Sequence, residues 1–450
     1  MTTPASNAQT HAYASSEIAE RAEMEMNPPL GGASKLRKLL IIIAAFIVNF
    51  SRCGLLFSFG IYQSLYEDMS RKENNPFTGA SSVEISLIGS IAAALMKPGA
   101  PYVVAWCNVL ASFGRALRHL QLAQGLLIGV GTCLSFIPSM AVPPSWFGKY
   151  RGLNMGIISA GTGIGGLVWS PILTACIQSI GFRDTLPLTG CICTVLICAS
   201  GSVLTWELKM AARLHEDNMK HSWVSGLFKV PLPPRKIVMT CKFAAQSLNA
   251  IFQSAAYYTP VFYIAAYSKT LGYSDSKGSN FTALSNACNA IGKFGVGFVA
   301  DKVGRIDTFF LTTLLSFVST AGLWIPSTIL GTTDETSGKG LFIGFTILFG
   351  LFASAYIGLF SPALVELFGM ENMPRITGIM YFLQGAAGFV GTPVAGVLAR
   401  SLGVNSPDNY LYMAVFVGAL MVSSTVTVFW ARIELMIDRM SENRTWLWRL

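Results

Sequence analysis

The chain has 450 residues, of which 52% are hydrophobic and only 12% charged, and its formal net charge is +9. This balance excludes a water-soluble protein, because too few charged residues remain to cover a polar shell. The Lys and Arg residues are spread over the joints between apolar runs, which excludes a nucleic-acid partner and fits the positive-inside rule of membrane proteins.

The first stretch, residues 1–35, is polar and lacks the layout of a cleaved signal peptide, which predicts a disordered cytoplasmic tail. The apolar runs that follow predict an all-α integral membrane protein with about eleven clear spans, because a helix needs about 20 apolar residues to cross the bilayer. The predicted spans lie near 39–66, 83–107, 121–142, 151–178, 186–206, 237–266, 281–300, 307–330, 340–366, 376–399 and 410–433.

One long polar joint, residues 207–236, interrupts these runs, and its basic residues predict a cytoplasmic linker. The linker divides an N-terminal transmembrane half at 36–206 from a C-terminal transmembrane half at 237–433. A second cytoplasmic tail is expected at 434–450, where further arginines follow the last span.

The first half is too short for six spans of ordinary length. Residues 83–114 would have to cross the bilayer twice, and two crossings need about 40 residues. A stunted hairpin, broken at Pro98 and buried against protein, would explain the shortfall. The sequence favours the other interpretation, in which a piece of the second and third spans is missing.

A charged loop follows the second span of the C-terminal half, with the sequence Gly297-Phe-Val-Ala-Asp301-Lys302-Val-Gly304-Arg305. Asp301 can cap a helix end and Arg305 can bind carboxylates of a neighbouring span, so the loop predicts a gate on the cytoplasmic side. The alternative is an ordinary charged turn. Glu366 and Arg375, near the same face, are expected either in this gate or as solvated charges.

This loop resembles the signature G-x-x-x-D-[RK]-x-G-R of the major facilitator superfamily. The resemblance implies the major facilitator fold of two six-helix halves, here with a shortened first half. It also implies secondary transport by alternating access around a site near the middle of the membrane. The equivalent loop of the first half is expected between residues 105 and 117, and the sequence there does not match it.

Over residues 40–433 the chain resembles a narrower group, the monocarboxylate-porter family and especially its fungal branch. The stretches that carry this resemblance are 81–90 (Ser-Ser-Val-Glu-Ile-Ser-Leu-Ile-Gly-Ser), 144–152 (Pro-Ser-Trp-Phe-Gly-Lys-Tyr-Arg-Gly), the Gly-rich run 156–166, 258–260 (Tyr-Thr-Pro), 360–369 and 391–393 (Gly-Thr-Pro). Fungal members often resemble exporters of secondary metabolites. The resemblance therefore favours efflux slightly over uptake of a monocarboxylate.

Polar side chains inside the apolar runs predict the substrate site. Asn49 and Arg52 lie within the first span, and Lys293 lies about 12 Å from the nearer end of its span, too deep for snorkelling. Two stripes with helical spacing complete the candidate site: Thr282, Asn286, Asn289 and Lys293 on one helix, and Gln246, Asn249, Gln253 and Tyr257 on the preceding one. The alternative is that the cations fix helix packing and the amides bond neighbouring helices.

Two buried cations without buried carboxylates predict a small organic anion, or a related polar-aromatic metabolite, as substrate, since its charge would balance theirs. The resemblance implies an aspartate and an arginine, as in animal monocarboxylate porters, where this chain has Asn289 and Lys293. Proton coupling through that aspartate is not expected, while coupling to protons by another route stays open.

The remaining expectations concern chemistry and location. His, Asp and Cys do not cluster at depth, so the sequence predicts no enzyme activity, no metal site and no cofactor. The sequon at Asn280 falls on the outer side and is a candidate glycosylation site. We expect a multi-pass protein of the plasma membrane, in contact with lipid. A non-transporting sensor or an inactive product is the alternative from another class, because the first gating loop is missing.

Overall fold

The computed structural model describes residues 35–57, 62, 65, 66, 69, 70, 136, 138–148, 150–207, 233–399 and 406–441. Every regular element in these ranges is a helix, which confirms the predicted all-α class. Several predicted segments lie outside the described residues: the span at 83–107, most of the span at 121–142, the short stretch 83–114 and most of the linker at 207–236.

The described residues up to 207 make up what we call the N-terminal segment. Its helices are α1 (Lys35–Val48), a π-helical turn (Asn49–Cys53), α2 (Gly54–Phe57), α3 (Pro143–Trp146), α4 (Arg151–Ile180) and α5 (Phe182–Gly201). Gly181 separates α4 from α5 with a φ of 81°, a left-handed value that ends α4 and that glycine adopts without strain.

The described residues from 233 to 441 make up the C-terminal segment. Its helices are α6 (Arg235–Val238), α7 (Cys241–Thr270), α8 (Asp275–Val303), α9 (Arg305–Ser319), a second π-helical turn (Thr320–Trp324), α10 (Ile325–Leu330), α11 (Glu335–Ala353), α12 (Ala355–Phe368), α13 (Met373–Leu398), a 3-10 turn (Pro407–Tyr410) and α14 (Leu411–Ser441). Asp334 caps α11, because its carboxylate accepts a hydrogen bond of 3.0 Å from the backbone nitrogen of Thr336.

Six helical stretches in the described part of the chain are long and apolar enough to cross a membrane: Arg151–Ile180, Phe182–Gly201, Arg305–Leu330, Glu335–Phe368, Arg375–Leu398 and Pro407–Met440. These six do not support the prediction of about eleven spans. The long helices α7 and α8, where two further spans were predicted, are less apolar because they carry the polar stripes. Polar side chains at such depth occur where they face other helices instead of lipid.

The outward faces of the helices are apolar. Val195 of α5 is 69% exposed, Ile291 of α8 is 66% exposed and Val397 of α13 is 68% exposed. Aliphatic side chains this exposed are costly in water but favourable in hydrocarbon. The outer surface of the helices therefore fits a lipid bilayer.

Helices α4 and α8 run side by side and join the two segments. A β-carbon at Gly156 would lie 2.5 Å from the carbonyl oxygen of Lys293, and one at Gly297 would lie 2.6 Å from the carbonyl oxygen of Gly152. Any side chain at Gly156 or Gly297 would therefore push the two helices apart. Small residues allow this close approach between membrane helices. Gly297, a predicted gating residue, thus has a packing role at this contact.

Aromatic side chains fill the end of the C-terminal segment where α7 ends and α8 begins. Trp324 stacks on Phe345 with ring centroids 5.0 Å apart, and Tyr267 packs edge-on against Phe342 at 5.3 Å. The Tyr267 hydroxyl lies 2.9 Å from the Ser327 hydroxyl. Each aromatic pair adds about 0.5–1.5 kcal/mol to its packing. This layer holds α7 in place and so positions the polar side chains nearer its middle.

Candidate functional site

The polar face of α8 lies buried at the contact with the N-terminal segment. Asn286, Asn289 and Lys293 are each at most 4% exposed, so this face of α8 points into the protein. The Nζ atom of Lys293 donates a hydrogen bond to Oγ1 of Thr162 on α4. The ammonium group therefore lies between the two segments, about 12 Å from Asp301 along α8.

The two amides of this face reach the neighbours of α8. Nδ2 of Asn289 donates to the Tyr257 hydroxyl of α7 at 3.3 Å. Asn286 lies opposite Gly166 of α4, where a β-carbon would be 2.6 Å from its Cγ atom. Neither α4 nor the stretch of α8 between Asp275 and Asp301 contains an Asp or Glu. These two stretches of helix therefore contribute no carboxylate to their contact.

The side chains of the predicted stripe on α7 contact two different helices, α14 and α8. Ser424 Oγ of α14 lies 2.8 Å from Oδ1 of Asn249 and 2.8 Å from Oε1 of Gln253. A hydroxyl carries one hydrogen, so one of these amides must present its NH2 group to the serine. Gln246 is fully buried on the same stripe. Asn249 and Gln253 thus bond α7 to α14, and Tyr257 is the member of the stripe that meets α8.

Arg52 and Asn49 lie on the π-helical turn of the first span, both at most 2% exposed. Nδ2 of Asn49 donates to the carbonyl oxygen of Ala45 at 2.9 Å and to the Ser139 hydroxyl at 3.1 Å. The guanidinium group of Arg52 lies beside the thiol of Cys193 on α5. The structure therefore places Arg52 between α1 and α5, whereas Lys293 lies between α4 and α8.

An aromatic cavity lies between the two segments, at the middle of α7, α12 and α13. Its lining residues, which we call the aromatic pocket, are Phe136, Ser254, Tyr257, Tyr258, Tyr356, Ile357, Phe360, Tyr381 and Gln384. None of these nine described side chains carries a charge, and the open space admits about one water molecule. Among the predicted site residues, only Tyr257 lines this pocket.

Sequence reasoning missed most of the aromatic pocket. Gln384 lies in the middle of an apolar run, so the rule that singled out Asn249 and Gln253 would also have found it. Tyr356 and Tyr381 carry no comparable signal, because aromatic residues are common in any membrane helix. Their convergence depends on how α12 and α13 pack.

Asp301 joins the charged loop of α8 to the first turn of α4. Its Oδ1 atom accepts a hydrogen bond of 2.8 Å from the backbone nitrogen of Gly152, and Oδ2 accepts one of 2.7 Å from that of Leu153. A carboxylate at a helix N-terminus is stabilised by the unpaired backbone donors and by the helix dipole. The predicted cap is therefore present, and the helix it caps belongs to the other segment.

The other residues of the predicted gating loop have separate roles. Nε of Arg305 lies 3.8 Å from Oδ1 of Asp301, which adds a cation beside the cap. Gly304 has a φ of 130°, a value that favours glycine, and it turns the chain from α8 into α9. Lys302 is exposed and its ammonium group lies 4.3 Å from the Phe298 ring centroid. Lys302 thus faces away from α4.

Glu366 connects three helices of the C-terminal segment. Its Oε2 atom accepts a hydrogen bond of 3.2 Å from the backbone nitrogen of Ile306 at the start of α9, and Oε1 pairs with Nη2 of Arg439 on α14 at 3.1 Å. Arg375 is half-buried in the first turn of α13. Glu366 thus pairs with Arg439, which the sequence analysis placed in the cytoplasmic tail at 434–450.

Two further ion pairs involve α14 near the same end. Arg432 pairs with Asp307 of α9, and Lys242 of α7 pairs with Asp438. The Asp438 side chain is half exposed, so solvent limits the Lys242 pair to about 0.2–1 kcal/mol. These pairs tie α14 to α7 and α9 beside the Asp301 cap. At the opposite end of α8, Asn280 is exposed on the second turn, accessible as the predicted glycosylation requires.

The comparisons with known proteins agree on one family. The family model described as Major Facilitator Superfamily matches residues 101–334 and residues 247–436. The chain is 24% identical over 422 residues to the MFS transporter asaE of Aspergillus flavus, a match that covers 90% of this chain and 88% of that protein. It is 25% identical over 418 residues to the agnestins efflux protein AgnL12 of Paecilomyces divaricatus, covering 89% of this chain and 88% of that protein.

A solved structure extends this likeness to the fold. The crystal structure of the human organic anion transporter MFSD10 (TETRAN) matches with a TM-score of 0.57 at 13% identity. The match covers 87% of this chain and 99% of that one. At this identity the likeness shows the fold alone.

Proposed function

The chain belongs to the Major Facilitator Superfamily, and from that premise we propose that it moves a small organic anion across a membrane by alternating access. The observation that carries the proposal is the Lys293 ammonium group, buried at the contact between the segments and bonded to Thr162. Neither α4 nor the part of α8 between Asp275 and Asp301 contains an Asp or Glu. An anionic substrate would provide the countercharge that a buried cation requires.

Alternating access needs a contact between the segments that can form and break. Two polar contacts meet that requirement along α8: Lys293 with Thr162, and Asp301 with the first turn of α4. Both are hydrogen bonds to groups that water can replace when the segments separate. In this proposal Asp301 closes the cytoplasmic side, and an anion bound at Lys293 competes with Thr162 for the ammonium protons.

The carrier family that we propose rests on the sequence. We propose that the chain is a monocarboxylate-porter-like carrier with two six-helix halves, on the stretches between residues 81 and 393 that resemble that family. Efflux of a secondary metabolite is favoured, and the similarity to a protein named as an agnestins efflux protein supports that direction. The proposed location is the plasma membrane, and the coupling ion, including the proton, is left open.

The test is transport by the purified full chain in lipid vesicles, with labelled monocarboxylates and aromatic acids supplied from either side. Lys293→Ala should lose transport of every anion that the wild type carries, whereas Lys293→Arg should retain part of it because the charge is kept. Lys277→Ala is the matched control, since Lys277 lies on the same helix but is exposed.

Two results would contradict this proposal. Unchanged anion transport in correctly inserted Lys293→Ala would remove Lys293 from the site. Saturable binding of an acid without any transport would instead support a sensor, the alternative that the missing loop of the first half raises. The direction in which wild-type transport is faster distinguishes efflux from monocarboxylate uptake.

A further inference from the structure

We propose that the aromatic pocket binds the ring of the substrate, so that the transported anion is an aromatic acid held by its ring there and by its charge at Lys293. This inference rests on the proposed transport function and specifies its substrate class. The described residues that line the pocket are uncharged. Its chemistry therefore suits the uncharged part of such a molecule.

The walls of the pocket are rings in edge-to-face and tilted arrangements. Tyr356 meets Phe360 with centroids 5.4 Å apart, and Phe360 meets Tyr381 at 5.6 Å. Tyr257 and Tyr258 face each other at 5.2 Å on the α7 side. A planar ring can join such a cluster through the same contacts, which favour aromatic over saturated partners.

One edge of the pocket is polar. The Tyr356 hydroxyl lies beside the side chain of Gln384, and the Ser254 hydroxyl donates to the backbone carbonyl oxygen of Gln384 at 2.7 Å. Hydroxyl and amide groups at this edge can bond a phenol or carbonyl group on the ligand ring. A saturated hydrocarbon in the same place would leave those buried groups without a ligand partner.

Phe136 links ring binding to the movement of the segments. It is the pocket residue from the N-terminal segment, and it packs edge-on against Tyr381 of the C-terminal segment at 5.8 Å. With these rings in contact the pocket admits about one water molecule. A substrate ring therefore needs the pocket to widen, and withdrawal of Phe136 would free Tyr381 to contact that ring.

The geometry of α7 and α8 connects the pocket to Lys293. Tyr257 lines the pocket and its hydroxyl accepts a hydrogen bond from Asn289. Lys293 follows Asn289 by four residues, about 6 Å along α8 on the same face. A ring in the pocket would thus place a carboxylate substituent towards the α8 cation.

The experiment compares benzoate with cyclohexanecarboxylate, two acids of equal charge and similar size of which one is aromatic. Binding is measured by titration calorimetry on the purified full chain in lipid nanodiscs. Wild type should bind benzoate about two- to tenfold more tightly, the range expected for aromatic contacts. Tyr381→Leu should bring the ratio of the two affinities close to one, and Tyr381→Phe should keep it. Tyr412→Leu is the control, because Tyr412 is 46% exposed on α14.

The outcomes separate this inference from the proposed function. Equal affinities in wild type, with both acids lost in Lys293→Ala, would overturn the aromatic pocket and leave anion transport intact. A benzoate preference that survives in Tyr381→Leu would likewise overturn it. Failure of wild type to bind or transport any organic anion would overturn the proposed function, and this inference with it.

Discussion

Helices α7 and α8 carry polar stripes of similar spacing that end up in different surroundings. On α8, Lys293 bonds to Thr162 of the N-terminal segment, and Asn289 bonds to Tyr257, which lines the aromatic pocket. On α7, the amides of the stripe bond to Ser424 of α14, within one segment. Helical spacing says which side chains share a face, but the neighbouring helix decides whether that face becomes a site or a packing contact.

The largest effect is expected at Asp301, where the contact of α8 with α4 ends. Asp301→Asn removes the charge from two hydrogen bonds, and charge-assisted bonds contribute about 1.5–3 kcal/mol each. Amide hydrogen exchange in residues 150–156 should therefore become at least about tenfold faster. Asp334→Asn is the control, since Asp334 caps α11 in the same way but away from α4. Unchanged exchange at 150–156 would show that the cap does not hold the segments together.

A matched pair of substitutions tests the comparison between the stripes directly. Asn289→Leu removes the bond to Tyr257 beside the aromatic pocket and should reduce anion transport about fivefold, since a hydrogen bond contributes about 1 kcal/mol. Asn249→Leu removes a bond of the same kind to Ser424 and should leave the initial rate of transport unchanged. Equal losses of transport in both variants would contradict the distinction between the two stripes.

Asn289→Asp sharpens the assignment of Lys293 as the anion-binding cation. A carboxylate one turn from Lys293 would neutralise it, so transport at neutral pH should fall about threefold, less than for loss of the charge itself. Pairing with Lys293 favours the ionised carboxylate, so the rate should be restored only when the pH falls below the ordinary Asp pKa of about 3.9. Initial rates between about pH 3 and 8 measure this, with Asn249→Asp as control. Parallel pH profiles for both variants would count against the assignment.

The smallest effect is expected at Ser424. Ser424→Ala removes the hydroxyl that bonds α7 to α14, and such interhelical bonds contribute about 0.6 kcal/mol on average. The melting temperature of the protein in detergent should fall slightly while the transport rate stays within error of wild type. A loss of transport without a change in melting temperature would move the α7 stripe into the substrate site.

Much of the fold was predictable because membrane helices can be recognised by their apolar composition. The predicted spans at 151–178 and 376–399 correspond to α4 and α13, within a few residues at their ends. Lipid offers the backbone no hydrogen-bond partners, so a long apolar run in the membrane forms a helix, in which the backbone groups bond to one another. The number of spans was less predictable, since α7 carries enough amides to lower its hydropathy.

The site was predictable only in part. Lys293 and Asn289 were found because polar groups at depth are costly and must face other helices. Arg52 was found by the same rule, and it lies beside Cys193 of α5. The free-energy cost of a polar side chain deep in the membrane predicts that the side chain is buried in the protein, but it does not predict which residue contacts it.

The sequence alone indicated the class of protein, the apolar helices and the buried face of α8, because these depend on local composition and on spacing along one helix. Asp301, predicted to lie in a loop, is instead in the last turn of α8. Only the tertiary structure decided that Asp301 caps α4, that Lys293 meets Thr162 and that Tyr356 and Tyr381 converge with Phe136. These contacts join residues that are more than 100 positions apart in the sequence or that lie on different helices. Their formation depends on how the surfaces of whole helices fit together, which no local pattern specifies.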